Sequence, residues 1–271
     1  MSDAIVTICS PNYSPLLNLW ISALKPLTSI PLYVLTTHNF VPTTQSGVSV
    51  ISVDPSGNPF PSTTPDHVCA EKLRLFKHLP QEVTRILFLD VDIWVLRPFW
   101  HFDGGFDGSR DVLSMCPDLF VGYKEKMNNE FQPFDPSFQM RYNSDGTYHY
   151  FNTGAFFASR DAHASLFSKF LETWDDYITR MPSYPSIFDQ NVINYCLIKY
   201  GVEVQPMSLH NNCLCDYEPE IRRDGSLMLN GQPVNAYHFN GDDAQTKYSR
   251  WLNMEANLHR SYVRRIRTSG I

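Results

Sequence analysis

The sequence predicts an α/β fold with a largely parallel central sheet flanked by helices. Three observations predict it. Short β-rich runs alternate with helical ones through the first half of the chain, the pattern that parallel strands with crossover helices produce. One of those runs, RILFLDVD, is apolar over residues 86–89, as a strand covered on both faces requires. The 271 residues are 43% hydrophobic and 18% charged, which excludes a disordered chain and suffices for a sizeable core.

The elements follow in order. AIVTICS, residues 4–10, is a short strand. SPLLNLWISALK is a helix with Leu16, Leu19, Trp20 and Ala23 on one face. PLYVLTT and VSVISV are the next two strands. Residues 54–65, rich in Pro, Ser, Thr and Gly, form a loop. DHVCAEKLRLFKHLP reads as a helix with Asp66 as N-cap and Pro80 as stop. RILFLDVD and DVLSMC are strands. Residues 120–150 lack clear periodicity and read as a long loop of the functional or mobile kind. FNTGAFFAS is a strand. AHASLFSKFLETWDDYI is a helix that sets Leu166, Phe167, Phe170, Leu171 and Trp174 at helical spacing. DQNVINYCLIKY is a further helix and VEVQP a strand. SLMLNGQPVNAYHF reads as two runs about an Asn-Gly or Gly-Gln turn. The tail, residues 243–267, is helical and ends in a basic stretch. With no repeat and no linker, residues 1–271 read as one domain.

Charge and composition narrow the function. A net charge of −6 lacks the basic footprint of a general nucleic-acid binder. No run of about 20 apolar residues predicts a membrane span. MSDAIVTICS shows no positive stretch followed by a long apolar region, so a cytoplasmic location is expected. Cys9, Cys69, Cys116 and Cys196 sit in or beside apolar runs and read as buried reduced thiols. Cys213 and Cys215 lack the two-residue gap usual in zinc sites, while His210 nearby leaves a metal site open.

The residues that carry chemistry begin with Asp90 and Asp92. They emerge at the C-terminal end of a buried strand, where open α/β sheets bind ligands. Two residues apart on a strand, they share a side. Two carboxylates on one side repel unless a cation or hydrogen bonds intervene. A hard divalent cation, Mg²⁺ or Mn²⁺, fits; a cap or a turn is the plainer alternative. His238 ends the run VNAYHF and is either a structural histidine or a nitrogen ligand, which Mn²⁺ accepts better than Mg²⁺ does. Asp189, followed by Gln190, opens a helix that it could simply cap. Gly154 permits close backbone approach, or marks a bulge. Lys72 is a solvated lysine or a point charge for phosphate. Tyr13 stacks a base or plugs a loop.

The order of these residues says more than any one of them. Together, Tyr13, Lys72, Asp90 with Asp92, Asn152 to Gly154, Asp189 with Gln190, and His238 with Lys247 resemble the nucleotide-sugar-dependent glycosyltransferases of the glycogenin and bacterial lipopolysaccharide galactosyltransferase type. EKLRLFKHLPQEVTRILFLDVDIWVLRPF resembles that family's lysine helix followed by its Asp-x-Asp strand. FNTGAFFASRDAHASLFSKFLETW is similar to its Asn-x-Gly strand and following helix, and FDQNVINYCL to its Asp-Gln helix. HFNGDDAQTKYSRW resembles its His-x-x-Gly-x-x-Lys-Pro-Trp ending, with five residues between Gly241 and Lys247 in place of two and no proline after the lysine. The resemblance runs from about residue 4 to 251.

The resemblance implies a GT-A fold, a Rossmann-like mostly parallel sheet flanked by helices. It implies a nucleotide-binding half to about residue 118 and a donor-sugar and acceptor half from about residue 119. It implies a sugar nucleotide donor, commonly UDP-linked, a Mn²⁺ or Mg²⁺ ion, and transfer with retention. Carried over by position, Asp90, Asp92 and His238 bind the metal. Lys72, Asp90, Gly241 and Lys247 lie along the donor, and Thr7 and Tyr13 line the base pocket. Asn152 and Asp189 hold hydroxyls of the donor sugar, and Gln190 lies near the anomeric carbon, so Asp189 and Gln190 are the catalytic candidates. The acceptor is a glycan, a lipid-linked glycan or a protein, and residues 120–151 are a candidate wall for it. The basic residues 260–267 admit peripheral contact with an anionic membrane. Two other readings stay open: a haloacid-dehalogenase-type phosphatase, with Gly241, Asp242 and Asp243 as its later acidic motif, and a non-catalytic sugar-nucleotide-binding module.

Overall fold

Alternation along the first strand sets the frame of the molecule. In β1 (Ser2–Cys9), Ala4, Val6 and Ile8 are buried on one face and Ile5 and Cys9 on the other. A strand buried on both sides belongs in the middle of a covered sheet. The structure, a computed structural model, describes residues 2–37, 42, 47–53, 71–101, 104–108, 111–119, 123–143, 146–180, 188–222, 224–241 and 243–268, with the backbone alone for residues 123, 174–175, 178–179, 188 and 260–268.

Helix α1 (Ser14–Leu24) returns the chain from β1 to β2 (Leu32–Thr36), burying Leu16, Leu17, Trp20, Ile21 and Leu24. Each such side chain taken from water contributes about 1.5–3 kcal/mol. β3 (Val48–Ser52) follows. Over its described residues the expected helix before the carboxylates is a 3-10 turn, Glu71–Arg74, and one α-turn, α2 (Leu75–His78). The expected cap Asp66, the loop over residues 54–65 and Cys69 lie outside the described residues. β4 (Val83–Leu89), β5 (Ile93–Val95) and β6 (Leu113–Pro117) come next.

Residues 123–131 are the main departure from expectation, because they form a helix, α3 (Tyr123–Phe131). Its sequence, YKEKMNNEF, is polar, and over the described side chains of residues 124–131 only Met127 and Phe131 are fully buried, so its apolar stripe is too thin to read as a period. Beyond it, Phe134, Phe138 and Met140 are core rather than surface. Phe131 stacks on Tyr195 with ring centroids 4.6 Å apart, and Phe134 meets Tyr177 edge-on at 5.2 Å. Much of the expected acceptor wall therefore holds the fold together. Tyr142, 51% exposed, is its open member among the described residues.

β7 (Phe151–Ser159), α4 (Arg160–Arg180) and α5 (Phe188–Lys199) match expectation. β8 keeps only Gln205–Pro206 of the expected strand. β9 (Cys213–Leu214), β10 (Glu220–Ile221), β11 (Leu227–Leu229), β12 (Gln232–Pro233) and β13 (Ala236–His238) are short, and α6 (Ala244–Thr268) closes the chain. Asn230 and Gly231, both left-handed at φ 50° and 78°, make the two-residue turn between β11 and β12.

The central sheet has seven strands in the order β3-β2-β1-β4-β7-β6-β8. β3, β2, β1 and β4 are mutually parallel, and β7 alone runs against its neighbours. One face carries α4 and α5 over Val6, Phe88 and Phe156; the other carries α1 and α6 over Ile5, Leu87 and Phe157. A small sheet, β5-β13-β9, lies on the second side and brings residues 213–214 and 236–238 beside the end of β4. Among the described residues no helix is long and apolar enough to cross a membrane. Cys9, Cys116, Cys196 and Cys213 are free and buried, and Cys215 is half-buried. Burial pushes the thiols of Cys9, Cys196 and Cys213 up to about 12, so they stay protonated packing groups.

Candidate active site

The site is built where β4 stops. The strand ends at Leu89, so Asp90 and Asp92 are not both strand residues as their spacing suggests. They flank a turn, closed by the hydrogen bond from Ile93 N to Asp90 O at 3.0 Å. That turn redirects the chain into β5 and aims both carboxylates at the edge of β7. β13 pairs antiparallel with β5, placing His238 opposite Ile93. One ligand atom from each of Asp90, Asp92 and His238 can lie within 4.8 Å of the others.

Gly154 makes this convergence possible. A Cβ there would come within 2.3 Å of His238 Cε1 and 2.9 Å of an Asp90 carboxylate oxygen. Both readings of Gly154 are correct. Between Met115 and Cys116 the partner on β7 jumps from Phe156 to Asn152, so residues 153–155 bulge from β6. Just before the bulge the side chain of Asn194 ties down the main chain of Phe151, accepting from Phe151 N at 2.7 Å and donating to Phe151 O at 2.8 Å.

Charge is balanced locally. Lys72 Nζ reaches Asp90 at 3.0 Å and Asp189 at 2.9 Å. Lys247 Nζ donates to Asp92 Oδ2 at 2.6 Å and lies 5.5 Å from the centroid of the Tyr13 ring. The altered spacing after Gly241 thus still delivers a lysine, because α6 starts at Ala244 with Asp243 accepting from the amides of Gln245 and Thr246 at its N-terminus. Burial pushes the Asp90 carboxyl up to about 6; Lys72 opposes the rise and Asp92 adds to it. Burial also pushes Asp92 up, but His238 and Lys247 together hold it well below the usual carboxylate range. Asp189 is likewise held low against its burial, by the charge and hydrogen bond of Lys72 and by Thr153.

Beside the charges lies a layer of amides. Asn152 Oδ1 accepts from Gly154 N at 2.9 Å and from Asn212 Nδ2 at 2.8 Å. Asn152 Nδ2 donates to Gln190 Oε1 at 3.0 Å, which also accepts from Thr153 N at 3.2 Å. Gln190 Nε2 donates to Asp118 and to the Tyr150 hydroxyl, both at 3.1 Å. Gln190 is 5% exposed with both ends engaged, so as it stands its oxygen is committed to two donors.

The structure therefore brings Lys72, Asp90, Asp92, Asn152, Asp189, Gln190, His238 and Lys247 into one connected network. Tyr13 joins through Lys247. Thr7 is buried on β1, and its hydroxyl finds no hydrogen-bond partner among the described residues, as is also true of Thr36 on β2. Gly241 has open space around it and a left-handed φ of 94°, which favours glycine. His210 turns its nitrogens to Ser208 and to Leu229 O, and Cys215 donates to Asn240. Among the described residues the metal-capable group is Asp90, Asp92 and His238, and it does not include Cys213 or Cys215.

Sequence reasoning missed Asp118, Tyr150, Asn212 and His163. His163, buried on α4, donates from Nε2 to the carbonyl of Lys72 at 3.0 Å and so pins the turn that aims the lysine. The one available signal was in α5: an apolar helix carrying Gln190, Asn191 and Asn194 on inward positions asks for polar partners.

The sequence profile of the nucleotide-diphospho-sugar transferase family matches residues 38–225. No curated protein matches the chain by sequence. Solved structures are similar in fold. An active-site mutant of LgtC superposes with a TM-score of 0.64 at 19% identity, over 94% of this chain and 95% of that one. The galactosyltransferase LgtC in complex with donor and acceptor sugar analogs gives 0.61 at 20% identity, over 94% and 95%. Mouse xyloside xylosyltransferase 1, in its apo form, gives 0.57 at 14% identity, over 89% and 98%.

Proposed function

The chain belongs to the nucleotide-diphospho-sugar transferase family and is a glycosyltransferase, and on that premise we propose that it moves a sugar from a UDP-linked donor to an acceptor hydroxyl with retention, using a divalent cation. The observation that carries this reading is the convergence of Asp90, Asp92 and His238 in a pocket that a single Cβ on Gly154 would fill. Two carboxylates and one imidazole suit Mn²⁺, and Mg²⁺ less well. Such an ion, when bound, supplies Lewis-acid stabilisation of the leaving nucleoside diphosphate.

The protein's own groups do the rest. Lys72, held between Asp90 and Asp189, offers positive charge along the donor. Lys247, seated between Asp92 and the Tyr13 ring, offers a second charge for the diphosphate. The unpartnered hydroxyl of Thr7 and the ring of Tyr13 line the base side. Asn152 and Asp189 hold donor-sugar hydroxyls. Gln190 serves as a fixed wall near the anomeric carbon, since its oxygen already accepts from Asn152 and Thr153. A same-face displacement fits that wall. The bond from the anomeric carbon to the phosphate oxygen breaks with its electron pair, the acceptor oxygen bonds from the same side, and its proton passes to the departing phosphate. The aromatic pair Tyr142 and Tyr148, centroids 5.1 Å apart, is offered to a sugar-bearing acceptor.

Thermal unfolding against nucleoside diphosphates and sugar nucleotides, each with Mn²⁺, Mg²⁺ or EDTA, tests the reading. Ligand that binds only the folded state raises Tm, by the equivalent of about 2.7 kcal/mol at 100 times Kd. The expected result is a rise with UDP that requires Mn²⁺. No response to any nucleotide with either ion would overturn it.

A further inference from the structure

Asn212 belongs to no motif in the sequence, yet it joins the two halves of the site. It is 1% exposed and sits at the end of a 3-10 turn, Leu209–Asn211, just before β9. β9 runs parallel to β13, which brings Asn212 beside His238. Its side chain makes two hydrogen bonds. Nδ2 donates to Asn152 Oδ1 at 2.8 Å, and Oδ1 meets His238 Nδ1 at 3.1 Å.

The direction of each bond can be deduced from one main-chain amide. Gly154 N can only donate, so the Asn152 atom 2.9 Å away is its oxygen. The Asn212 atom facing that oxygen must then be nitrogen, which turns the Asn212 oxygen toward His238. A carbonyl oxygen only accepts, so His238 Nδ1 carries a proton in every protonation state of the ring. Nε2, 3.3 Å from Asp92 Oδ1, is thereby left as the nitrogen that faces the carboxylates. A ligating histidine requires this arrangement: the far nitrogen donates to a fixed acceptor, which sets tautomer and ring orientation.

We infer that Asn212 is a positioning residue that locks His238 as the Nδ1–H tautomer and ties it, through Asn152, to the backbone of Gly154. The inference rests on the metal role proposed for His238, and it deepens that role. A residue on the donor-sugar side, Asn152, and one on the metal side, His238, become one hydrogen-bonded unit. Displacing either shifts the other. Its two partners account for both ends of its buried amide.

The test has two independent readouts. In ¹⁵N-histidine-labelled protein, long-range ¹⁵N–¹H spectra report which ring nitrogen of His238 bears hydrogen; His238→Gln identifies the resonance. The expected result is a protonated Nδ1 in the wild type and its loss, or a mixture of tautomers, in Asn212→Leu. A wild-type Nδ1 without hydrogen would overturn the inference, whether or not the protein binds metal. Separately, free Mn²⁺ is measured by electron paramagnetic resonance during titration with UDP present. Asn212→Leu should weaken Mn²⁺ binding about 10- to 100-fold. Asn212→Asp keeps an acceptor for His238 but sets an oxygen against Asn152 Oδ1, so it should keep the Nδ1–H signal and still weaken Mn²⁺ binding by a smaller factor. Unchanged Mn²⁺ affinity in both variants, with the wild type binding normally, would also overturn it. Should Asn212→Leu fail to fold, the wild-type spectrum and Asn212→Asp decide the matter. A wild type that binds no Mn²⁺ yet shows the protonated Nδ1 would count against the metal reading and leave the lock standing.

Discussion

The charged cluster and the amide layer beside it are both buried, both polar and both centred on Gly154, yet they are built on opposite principles. In the cluster, Asp90, Asp92 and Asp189 face Lys72, Lys247 and His238 across five separate elements. A buried charge of this kind contributes little net stability, and such pairs are retained where the charges have work elsewhere. In the amide layer, Asn152, Gln190, Asn194 and Asn212 are neutral, and their donors and acceptors are matched in one direction only. Matched amides give geometry: each is satisfied in one orientation, and a change strands a buried group. The difference teaches which residues to test for rate and which to test for shape.

The largest effect should come from the charged side. Asp92→Asn keeps the size of the side chain and removes the charge that faces His238 and Lys247. Turnover should fall by about three orders of magnitude, since the Lewis-acid contribution is several kcal/mol. Initial rates over a Mn²⁺ titration check it, and a normal Mn²⁺ dependence in that variant would remove Asp92 from the metal site. The fold itself should survive with a lower Tm, because Lys247 loses its partner in a buried ion pair, a change that costs about 3–5 kcal/mol, while both apolar cores are untouched.

Gln190→Ala turns the comparison around. It strands Thr153 N and the Asn152 amide nitrogen and takes a donor from Asp118 and from the Tyr150 hydroxyl, which still donates to Asn191, and each buried group left unmade costs about 1–3 kcal/mol. Tm should drop by several degrees and rate should fall, while affinity for free UDP, read by calorimetry, stays within a few-fold of wild type. A large loss of UDP affinity at unchanged Tm would place Gln190 in the nucleotide pocket and dissolve the distinction between the two regions.

The same distinction explains what could be read from the sequence. The charged residues could be picked out by their order along the chain, Lys72, Asp90 with Asp92, Asp189 and His238, whereas Asp90 and Asp92 by themselves read equally as a cap or a turn. The sheet was legible too, from apolar runs such as residues 86–89, although the turn that unites the two aspartates was not. Asn212 and Asp118 were invisible. Their roles are set by which element lies alongside, β13 for Asn212 and α5 for Asp118, and no local period encodes a neighbour more than twenty residues away. α3 was hidden for a different reason: two buried residues among the eight side chains described leave no periodic signal.

The smallest effect concerns a residue that serves the charged cluster while staying neutral itself. Burial pushes the His163 imidazole down to about 3; the hydrogen bond to Lys72 O partly opposes this, and Arg160 adds to it. Its ordinary value is 6.5. Between those two values the unfolded chain binds a proton that the folded chain refuses, so stability falls as the pH drops through that window and levels off below about 3. The slope is at most about 1.4 kcal/mol per pH unit. His163→Gln retains an amide that can donate to Lys72 O and cannot titrate. Between pH 7.5 and 5 it should therefore lose about 2 kcal/mol less stability than the wild type, as measured by denaturant unfolding at each pH. Parallel losses in the two proteins would mean that His163 is protonated in the fold, and its bond to the Lys72 carbonyl would then belong to the charged cluster and not to the neutral layer that positions it.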